Sequence, residues 1–358
     1  MKLLIITQKV EKEDDVLGFF HRWIEKFSQK VEKINVICLF EGKHNFFSNL
    51  KLNKSNVEQQ ISNVFVWSLG KETGRSRLKY IFRFYKYIWQ LRKDYDVVFV
   101  HMNPIYIVLG GFLWRFWGKK IFLWYNHQHG NLILKIAVKF TKKIFYTSPF
   151  AFTARYKTSE RMPAGIDTEI FKKDEKIQKI PNSILYLGRI SPIKNVDILI
   201  EAVKLLDKEG IDFILNIVGE PGEKDKDYFK KIKKLSKELE VKGKIKFWGK
   251  VPNYKTPEIY NQNEILVNLS PPGLFDKTVL EAMACENLIL VSSAAFKDIL
   301  EECFIFYEGN PLDLKNKILN LFKKEKKEKE ALSKKLREVV VQNHNLDILI
   351  EKLIKKFE

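Results

Sequence analysis

Two successive series of short apolar runs, separated by amphipathic stretches, most constrain what this 358-residue chain can fold into. Such runs indicate buried parallel strands. Helical spacing occurs between them, as at 17–31 and 77–93 in the first series and at 195–208, 226–240, 278–285 and 312–322 in the second. Strands are predicted at 2–7, 34–40, 64–67, 96–102, 120–126 and 143–148, then at 183–189, 213–219, 245–249, 265–270, 288–293 and 303–307. The sequence therefore predicts an α/β protein with two Rossmann-like domains facing a central cleft, where the carboxyl ends of both sheets bind ligands.

The polar, lysine-rich stretch "PAGIDTEIFKKDEKIQKIPNS" at 163–183 separates the two series. We predict a first domain at 1–165, an interdomain linker at 166–182 and a second domain at 183–342. The amphipathic segment at 343–358 is predicted to form a C-terminal helix that packs back on the first domain.

Cysteine spacing and hydropathy indicate a cytoplasmic protein. The three cysteines are far apart in sequence, without the spacing of a disulfide framework or a zinc site, which fits a reducing compartment. The start "MKLLIIT" followed by "EKEDD" does not have the pattern of a signal peptide. Residues 97–114 contain no charged Asp, Glu, Lys or Arg, but Asn103-Pro104 and Gly110-Gly111 interrupt them. This run therefore predicts a strand, a turn and a helix rather than a membrane span.

Positive charge is concentrated in the first half of the chain. The net charge is +19, of which residues 1–175 contribute +14 and the remainder +5. A basic first half indicates an anionic partner: a membrane surface, a phosphorylated substrate or a nucleic acid.

Residues 75–93, "RSRLKYIFRFYKYIWQLRK", contain seven cations and no acid. Apolar residues recur there at near-helical spacing, at Leu78, Ile81, Tyr85, Ile88 and Leu91. This pattern suits a helix lying on anionic lipid, on the inner face of the plasma membrane. The alternative is an ordinary sheet-covering helix with a solvated basic face. Nucleic acid is the weaker interpretation, because no nucleic-acid-binding motif accompanies the stretch.

The chemistry of the second half begins at "ILYLGRISPIKN", where a predicted strand ends in Gly188-Arg189 and Lys194 follows five residues later. Glycine lets the backbone approach a ligand, and the two cations together can neutralise a diphosphate. The alternative is a loop with two solvated cations. Two further strands end in Gly219 and Gly249, the latter followed by Lys250-Val251. Their loops either offer backbone groups to a nucleobase or are plain turns.

The segment "LSPPGLFDKTVLEAMA" joins a loop to a helix. Its candidate ligand-binding residues are Gly273, Asp276, Lys277, Thr278 and Glu281. A helix N-terminus carries unpaired N–H groups and a partial positive charge, so it can hold a phosphate, while Glu281 can accept hydrogen bonds from ribose hydroxyls. Alternatively, Asp276 is an N-cap and Glu281 a surface acid.

In the first half, polar residues follow predicted strands at the edge that would line the cleft. His127 and His129 follow one strand, and His101 leaves another, with Asn103-Pro104 as an expected N-cap and first helical residue. Gly18 lies in the loop region after the first strand. We predict that Gly18, His101, Asn103 and His129 contact the acceptor or line the cleft.

"GRISPIKN" followed by "LEAMA" resembles the nucleotide-sugar domain of family-four retaining glycosyltransferases of GT-B architecture. "PAGIDTEIF" is similar to their interdomain signature, matched by Gly165, Asp167 and Phe171. The resemblance implies that Arg189 and Lys194 hold the donor diphosphate, that Glu281 binds the ribose and that His127 contacts the donor sugar or reacting centre. His127, Arg189 and Lys194 are thus the predicted catalytic residues.

The sequence departs from the family pattern at Gly273, where the family usually has a glutamate that contacts the donor sugar. Asp276, three residues on, either supplies a carboxylate in its place or only caps its helix. Two explanations for the departure stay open: an active enzyme with altered donor choice or rate, and a non-catalytic nucleotide-sugar or glycan-binding protein. An epimerase of the same fold is a third reading.

The resemblance implies transfer of a sugar from a UDP- or GDP-linked donor to a glycan or lipid-linked acceptor, in cell-envelope polysaccharide or glycoconjugate synthesis. It also implies an acceptor-binding first domain, a donor-binding second domain and no metal or cofactor. Two Asp-x-Asp triplets, at 94–96 and 225–227, are not at the carboxyl end of a strand, so we predict that neither binds a metal ion.

Overall fold

The computed structural model describes residues 1–48, 61–74 and 76–358. They form two compact units. The first contains residues 1–165, 252–254 and 346–358, and the second contains 166–251 and 255–345.

The first unit is built on a parallel sheet whose central strands are apolar on both faces. Its strands are β1 (Lys2–Val10), β2 (Lys33–Glu41), β3 (Phe46–Ser48), β4 (Ile61–Ser68), β5 (Val97–His101), β6 (Lys120–Trp124), β7 (Lys143–Tyr146) and β8 (Ser159–Arg161). Their order is β3-β4-β2-β1-β5-β6-β7-β8. Ile5 of β1 pairs with Val36 of β2 and Phe99 of β5. All of these pairings are parallel, so the strands end at one common edge.

Helices cover both faces of this sheet. They are α1 (Gly18–Ser28), α2 (Arg77–Gln90), α3 (Ile105–Phe116) and α4 (Leu132–Val138), with the C-terminal helix α11 (Leu346–Phe357). Leu3 and Ile5 pack with α1 and α11 on one face. Leu4 and Ile6 pack with α2, α3 and α4 on the other. This alternation follows from the two-residue period of a strand.

The second unit repeats the α/β design with a smaller sheet. Its strands are β9 (Ser183–Leu187), β10 (Ile214–Val218), β11 (Ile245–Gly249), β12 (Ile265–Asn268) and β13 (Leu288–Val291), in the order β11-β10-β9-β12-β13. Its helices are α5 (Val196–Lys208), α6 (Lys226–Val241), α7 (Thr256–Gln262), α8 (Lys277–Ala284), α9 (Pro311–Phe322) and α10 (Lys326–Asn343). The strands are parallel, which confirms the α/β class expected from the sequence.

One predicted strand is wrong. Residues 303–307 contain the end of a 3₁₀ turn, Glu302–Phe304, and Ile305 makes only an isolated bridge to Val291. Phe304 and Phe306 are buried, whereas Tyr307 is exposed. The apolar run therefore anchors a loop beside the edge strand β13 rather than extending the sheet. Helix α7 and the short strands β3 and β8 were not expected, because short elements give weak periodic signals.

The charge-free run at 97–114 divides between β5 and α3, as the sequence predicts. Among the helices within the three described ranges, none is long and apolar enough to cross a membrane.

Candidate functional site

Three glycines meet at the carboxyl edge of the second sheet. Gly188 follows β9, Gly219 follows β10 and Gly249 ends β11. The Gly188 N–H donates to the Val218 carbonyl at 3.0 Å, and the Gly219 N–H donates to the Gly249 carbonyl at 2.8 Å. Gly219 has a φ of 134°, and a Cβ there would lie 2.0 Å from the Gly188 oxygen. The three strand exits thus form one backbone surface that leaves no room for a side chain at Gly219.

Arg189 is exposed beside this backbone surface. The Tyr186 hydroxyl donates to the Arg189 carbonyl at 2.7 Å and so fixes the backbone from which the guanidinium extends. A Cβ on Gly222 would lie 3.9 Å from Arg189 Cδ, which places the arginine next to the loop that follows β10. Arg189 forms no ion pair with any residue in the described ranges, and its planar donors suit a phosphate.

Lys194 lies in the turn Pro192–Lys194 before α5 and reaches the exit of β12. Its Nζ lies 2.8 Å from Ser270 Oγ and 2.6 Å from Asp276 Oδ2. The next residue, Asn195, has a left-handed backbone with φ 46°, a conformation that is uncommon for any residue but glycine. This turn holds the Lys194 ammonium against the loop that leads into α8.

Asp276 occupies the N-cap position of α8, but its side chain makes no cap hydrogen bond. Besides Lys194, its Oδ2 accepts a hydrogen bond from Asn268 Nδ2 at 2.9 Å and another from the Ser270 hydroxyl. Burial raises the pKa of this carboxyl, but Lys194, Ser270 and Asn268 together hold the pKa below its ordinary value. The alternative in which the Asp276 side chain caps α8 is therefore wrong, because the carboxylate has stronger partners across the loop.

Lys277 and Glu281 lie one turn apart on α8. Burial lowers the pKa of the Lys277 ammonium to about 7, although the charge of Glu281 acts in the opposite direction. Glu281 is only 3% exposed, and its Oε2 accepts a hydrogen bond from the Tyr260 hydroxyl at 3.0 Å. The start of α8 thus combines a lysine whose pKa is lowered by burial with a buried acceptor for hydroxyl groups.

The remaining candidates of the second unit lie in the adjoining loops. Gly273 is buried and has a φ of 90°, a backbone conformation that is strained for any residue with a side chain. Thr278 is half-buried in the first turn of α8, and Val251 is half-buried after β11. The described structure therefore groups Gly188, Gly219 and Gly249 by backbone contact, and Lys194 and Asp276 by an ion pair.

Residues 167–339 match the family model described as glycosyl transferases group 1. The chain carries a glycosyl transferases group 1 domain. The matched residues include all of the candidates at the carboxyl edge of the second sheet. No curated protein sequence matches the chain.

Several solved structures are similar in fold to almost the whole chain. HepE of Anabaena, solved in complex with UDP-glucose, is 16% identical with a TM-score of 0.76, over 99% of each chain. Sucrose-phosphate synthase of Thermosynechococcus elongatus is 15% identical with a TM-score of 0.77, over 99% of this chain and 98% of that one. A glycosyltransferase of Rickettsia africae is 17% identical with a TM-score of 0.72, over 99% and 98%. The fold is that of the GT-B glycosyltransferases.

Outside the glycosyl transferases group 1 domain, His127 and His129 are exposed after β6. The Phe152 N–H donates to the His127 carbonyl at 2.8 Å, and the Tyr125 hydroxyl donates to the His129 carbonyl at 2.8 Å. Burial, with a smaller effect from His129, lowers the pKa of His127. The backbone of this loop is therefore held while both imidazoles stay accessible to a ligand.

The other candidates of the first unit are less accessible. His101 is 4% exposed and stacks on Phe20, with ring centroids 4.2 Å apart. The expected N-cap at Asn103 is wrong: α3 begins at Ile105, Pro104 precedes it, and no side chain caps the helix. The Asn103 amide instead points back to the His101 carbonyl, 3.4 Å away. Gly18 is the first residue of α1, where a Cβ would lie 3.1 Å from the Lys12 carbonyl.

Three residues of the domain's site were not singled out from the sequence: Asn268, Ser270 and Tyr260. Asn268 and Ser270 are polar residues at the carboxyl end of the apolar run "ILVNLS", a position that indicates a ligand-facing edge. Tyr260 lies on α7, which the sequence did not predict. Only Asn268 and Ser270 could therefore have been recognised as site residues from the sequence.

No group of three or more His, Cys, Asp or Glu side chains that could hold a metal ion occurs within the residues the structure describes. In the two Asp-x-Asp triplets, Asp94 pairs with Lys33 at 3.2 Å and Asp227 pairs with Lys230 at 2.9 Å. Independence from metal ions stays a prediction.

Proposed function

We propose that this protein is a retaining glycosyltransferase that takes a sugar from a UDP- or GDP-linked donor and transfers it to a glycan or lipid-linked acceptor. The match of residues 167–339 to the glycosyl transferases group 1 family carries this proposal. The glycine-lined edge with Arg189 and Lys194 supports it, since backbone N–H groups and cations together suit a diphosphate. A structure of the same fold contains UDP-glucose, which supports the choice of donor.

In the proposed reaction, the bond between the anomeric carbon and the diphosphate oxygen breaks while the acceptor hydroxyl attacks from the same face. The acceptor proton passes to the departing phosphate oxygen, so no external base is needed. Negative charge grows on the diphosphate as the bond breaks, and fixed cations that face this charge lower the barrier. Arg189 and Lys194 have this role, Glu281 accepts hydrogen bonds from ribose, and His127 contacts the sugar or reacting centre.

A second candidate function is favoured by Gly273, which stands where related enzymes have a sugar-contacting glutamate. Asp276 is engaged by Lys194, Ser270 and Asn268, so its carboxylate has three partners other than a donor sugar. A protein that binds nucleotide sugars without transferring them would fit these facts. An epimerase would convert the donor sugar without forming a new linkage.

A donor panel separates these functions. Thermal unfolding is measured with UDP, GDP, ADP and their hexose conjugates, because a ligand that binds only the folded state raises its stability. Donors that bind are then incubated with glycan and lipid-linked acceptors, and the products are analysed for linkage and anomeric configuration. A new linkage with retained configuration supports the proposal, whereas donor binding alone supports the binding protein. No stabilisation by any nucleotide would contradict both.

The phosphate assignment is tested by Arg189→Ala. We expect the variant to lose about 1.5–3 kcal/mol of charge-assisted contact with the donor. Lys237→Ala is the matched control, since Lys237 is an exposed cation on α6 that pairs with no acid in the described ranges. Equal donor affinity in the two variants would show that Arg189 does not contact the diphosphate.

A further inference from the structure

The outward side of α2 carries a row of exposed apolar side chains. The row consists of Leu78, Phe82, Tyr85 and Trp89. Their spacing of four, three and four residues puts them on one side of the helix. Leu78 is 79% exposed and Phe82 is 72% exposed, whereas Phe84 and Ile88 on the opposite side are buried against the sheet. Helix α2 is therefore apolar on two sides, and one of them faces outward.

Helix α3 continues this surface. Phe112 and Phe116, one turn apart, are 71% and 79% exposed. The Tyr85 hydroxyl donates to the Leu109 carbonyl at 2.9 Å, and the rings of Trp89 and Trp117 lie 5.6 Å apart. These contacts hold the outer rows of α2 and α3 side by side in one layer.

Helix α4 extends the layer on the other side of α3. Arg115 Nη1 donates to the Lys139 carbonyl at 3.3 Å, and a Cβ on Gly111 would lie 2.8 Å from the ring of Phe140. Leu132 at the start of α4 is exposed. The three helices thus form one continuous outer layer of the first unit.

The layer contains cations and no acids. Neither α2, α3 nor α4 has an Asp or Glu, and none occurs anywhere from residue 97 to residue 159. Lys79, Arg83 and Lys86 follow one another at helical spacing beside the apolar row. Together with Leu78 and Phe82 they line an open groove of about 460 Å³. Apolar and cationic groups are therefore interleaved rather than segregated.

We propose that the outer layer of α2, α3 and α4, which we call the basic aromatic surface, docks on an anionic lipid bilayer. The cations meet headgroup phosphates, and the apolar ends of the side chains enter the interface between headgroups and acyl chains. Tryptophan and tyrosine suit that depth, since each has an apolar ring and a polar end. Arginine and lysine stems add apolar contact while their charges stay at the headgroups.

Other occupants fit this surface less well. Two copies placed face to face would bring cations against cations, with no acid on either side to pair with them. A nucleic acid would satisfy the cations, but its backbone offers nothing to rows that include Leu78 and Leu132. A bilayer alone supplies both anionic groups and an apolar layer over an area as wide as three helices.

The surface is larger than the segment at 75–93 that the sequence indicated, because α3 and α4 also contribute to it. Arg75, the first cation of that segment, lies outside the described residues. The docking rests on the described helices alone and stands whether or not the proposed transfer reaction holds.

Sedimentation with vesicles tests the docking on the full chain. Vesicles of phosphatidylcholine alone are compared with vesicles that also contain phosphatidylglycerol, at low and high salt. We expect binding only to the anionic vesicles, weakened by salt because the Debye length shortens. Phe112→Ser with Phe116→Ser should lower the partition at least tenfold at either salt concentration. Lys79→Gln with Lys86→Gln should lower it mainly at low salt.

Matched controls come from the second unit. Val241→Ser with Tyr307→Ser removes two equally exposed apolar groups, and Lys234→Gln with Lys237→Gln removes two exposed cations. We expect both controls to bind anionic vesicles like the unchanged protein. Equal losses in controls and surface variants would overturn the proposal, as would absence of vesicle binding. So would vesicle binding that a single-stranded oligonucleotide displaces, or a self-association that Phe112→Ser with Phe116→Ser abolishes without any lipid. UDP affinity, measured on the same variants, reports separately on the proposed donor site.

Discussion

Asp276→Asn is the substitution that most sharply tests the proposed donor site. The Asp276 carboxylate lies 2.6 Å from the Lys194 ammonium and neutralises one of the two cations assigned to the donor diphosphate. Asparagine keeps the size of the side chain and removes its charge. We expect the variant to bind UDP more tightly, because the diphosphate no longer meets a carboxylate beside Lys194.

The size of the effect follows from the ion-pair geometry. A phosphate oxygen on the free side of the ammonium would lie roughly 5 Å from the carboxylate, where two like charges repel by about 3 kcal/mol at an effective dielectric constant of 20. The Lys194 and Asp276 side chains remain 20% and 24% exposed, so solvent screens part of this repulsion. We expect a net gain of ~1.5 kcal/mol, which is about tenfold in affinity.

The assay is titration calorimetry with UDP and UDP-glucose at low salt. If Asp276 acts only through Lys194, both ligands gain affinity by the same factor. If Asp276 binds a sugar hydroxyl instead, UDP-glucose loses affinity relative to UDP. Asp212→Asn is the control, since Asp212 is an exposed acid just before the amino end of β10. Weaker or unchanged UDP binding in Asp276→Asn, relative to this control, would refute the reasoning.

Three further predictions concern the two units separately. His21 is buried with its Nδ1 3.5 Å from Glu25 Oε1, and burial lowers its pKa from 6.5 to about 4 although the charge of Glu25 acts in the opposite direction; the folded state therefore loses ~3 kcal/mol as the pH falls from 6.5 through 4, and urea titrations of His21→Phe should lack this loss. Gly219→Ala should cost more than 2 kcal/mol of unfolding free energy, because its Cβ would meet the Gly188 oxygen, whereas Gly309→Ala, with open space around a backbone of φ 69°, should cost about 1 kcal/mol; equal costs would contradict the close approach. Tyr260→Phe should cost ~1–2 kcal/mol by removing a hydrogen bond from buried Glu281, measured by chemical unfolding, and no loss would mean that another donor replaces the hydroxyl.

Features that depend on neighbouring residues in sequence were predictable. A strand that ends in glycine is visible as an apolar run followed by Gly188 or Gly219, and the structure brings both to one edge. Parallel strands carry their loops at a common edge, so the sequence order alone was enough to group these residues.

Pairings between distant residues were not predictable. Lys194 and Asp276 are 82 residues apart, and the sequence offered only two local roles for the carboxylate: a helix cap and a sugar ligand. The short turn Pro192–Lys194 and the left-handed Asn195 decide which loop the ammonium reaches. Such backbone details have no periodic signature, so the ion pair emerges only from the folded structure.

Helix α2 shows a different limit of sequence patterns. Spacing alone groups Leu78, Tyr85, Ile88 and Leu91 as one apolar side, yet the structure buries Ile88 and Leu91 and exposes Leu78. Phe82 is exposed and Phe84 is buried, because apolar residues cover two sides of the helix. Periodicity identifies a buried side only when the other side is polar, so the exposed row could not be recognised before the sheet had been placed beneath it.

Ion pairing within the candidate donor site, rather than its number of cations, determines how strongly each cation contributes to binding an anion. Arg189 is exposed and forms no ion pair within the described ranges, whereas Lys194 is held by Asp276. An incoming diphosphate therefore interacts with the full charge of Arg189, but only with the part of the Lys194 charge that Asp276 does not neutralise. Lys194→Ala should therefore weaken UDP binding less than Arg189→Ala does, although the sequence gives the two cations equal standing. Asp276→Asn removes the partner of Lys194. In that background, Lys194→Ala and Arg189→Ala should therefore lower UDP affinity by similar factors. An unchanged ranking in that background would mean that the ion pair does not limit the contribution of Lys194.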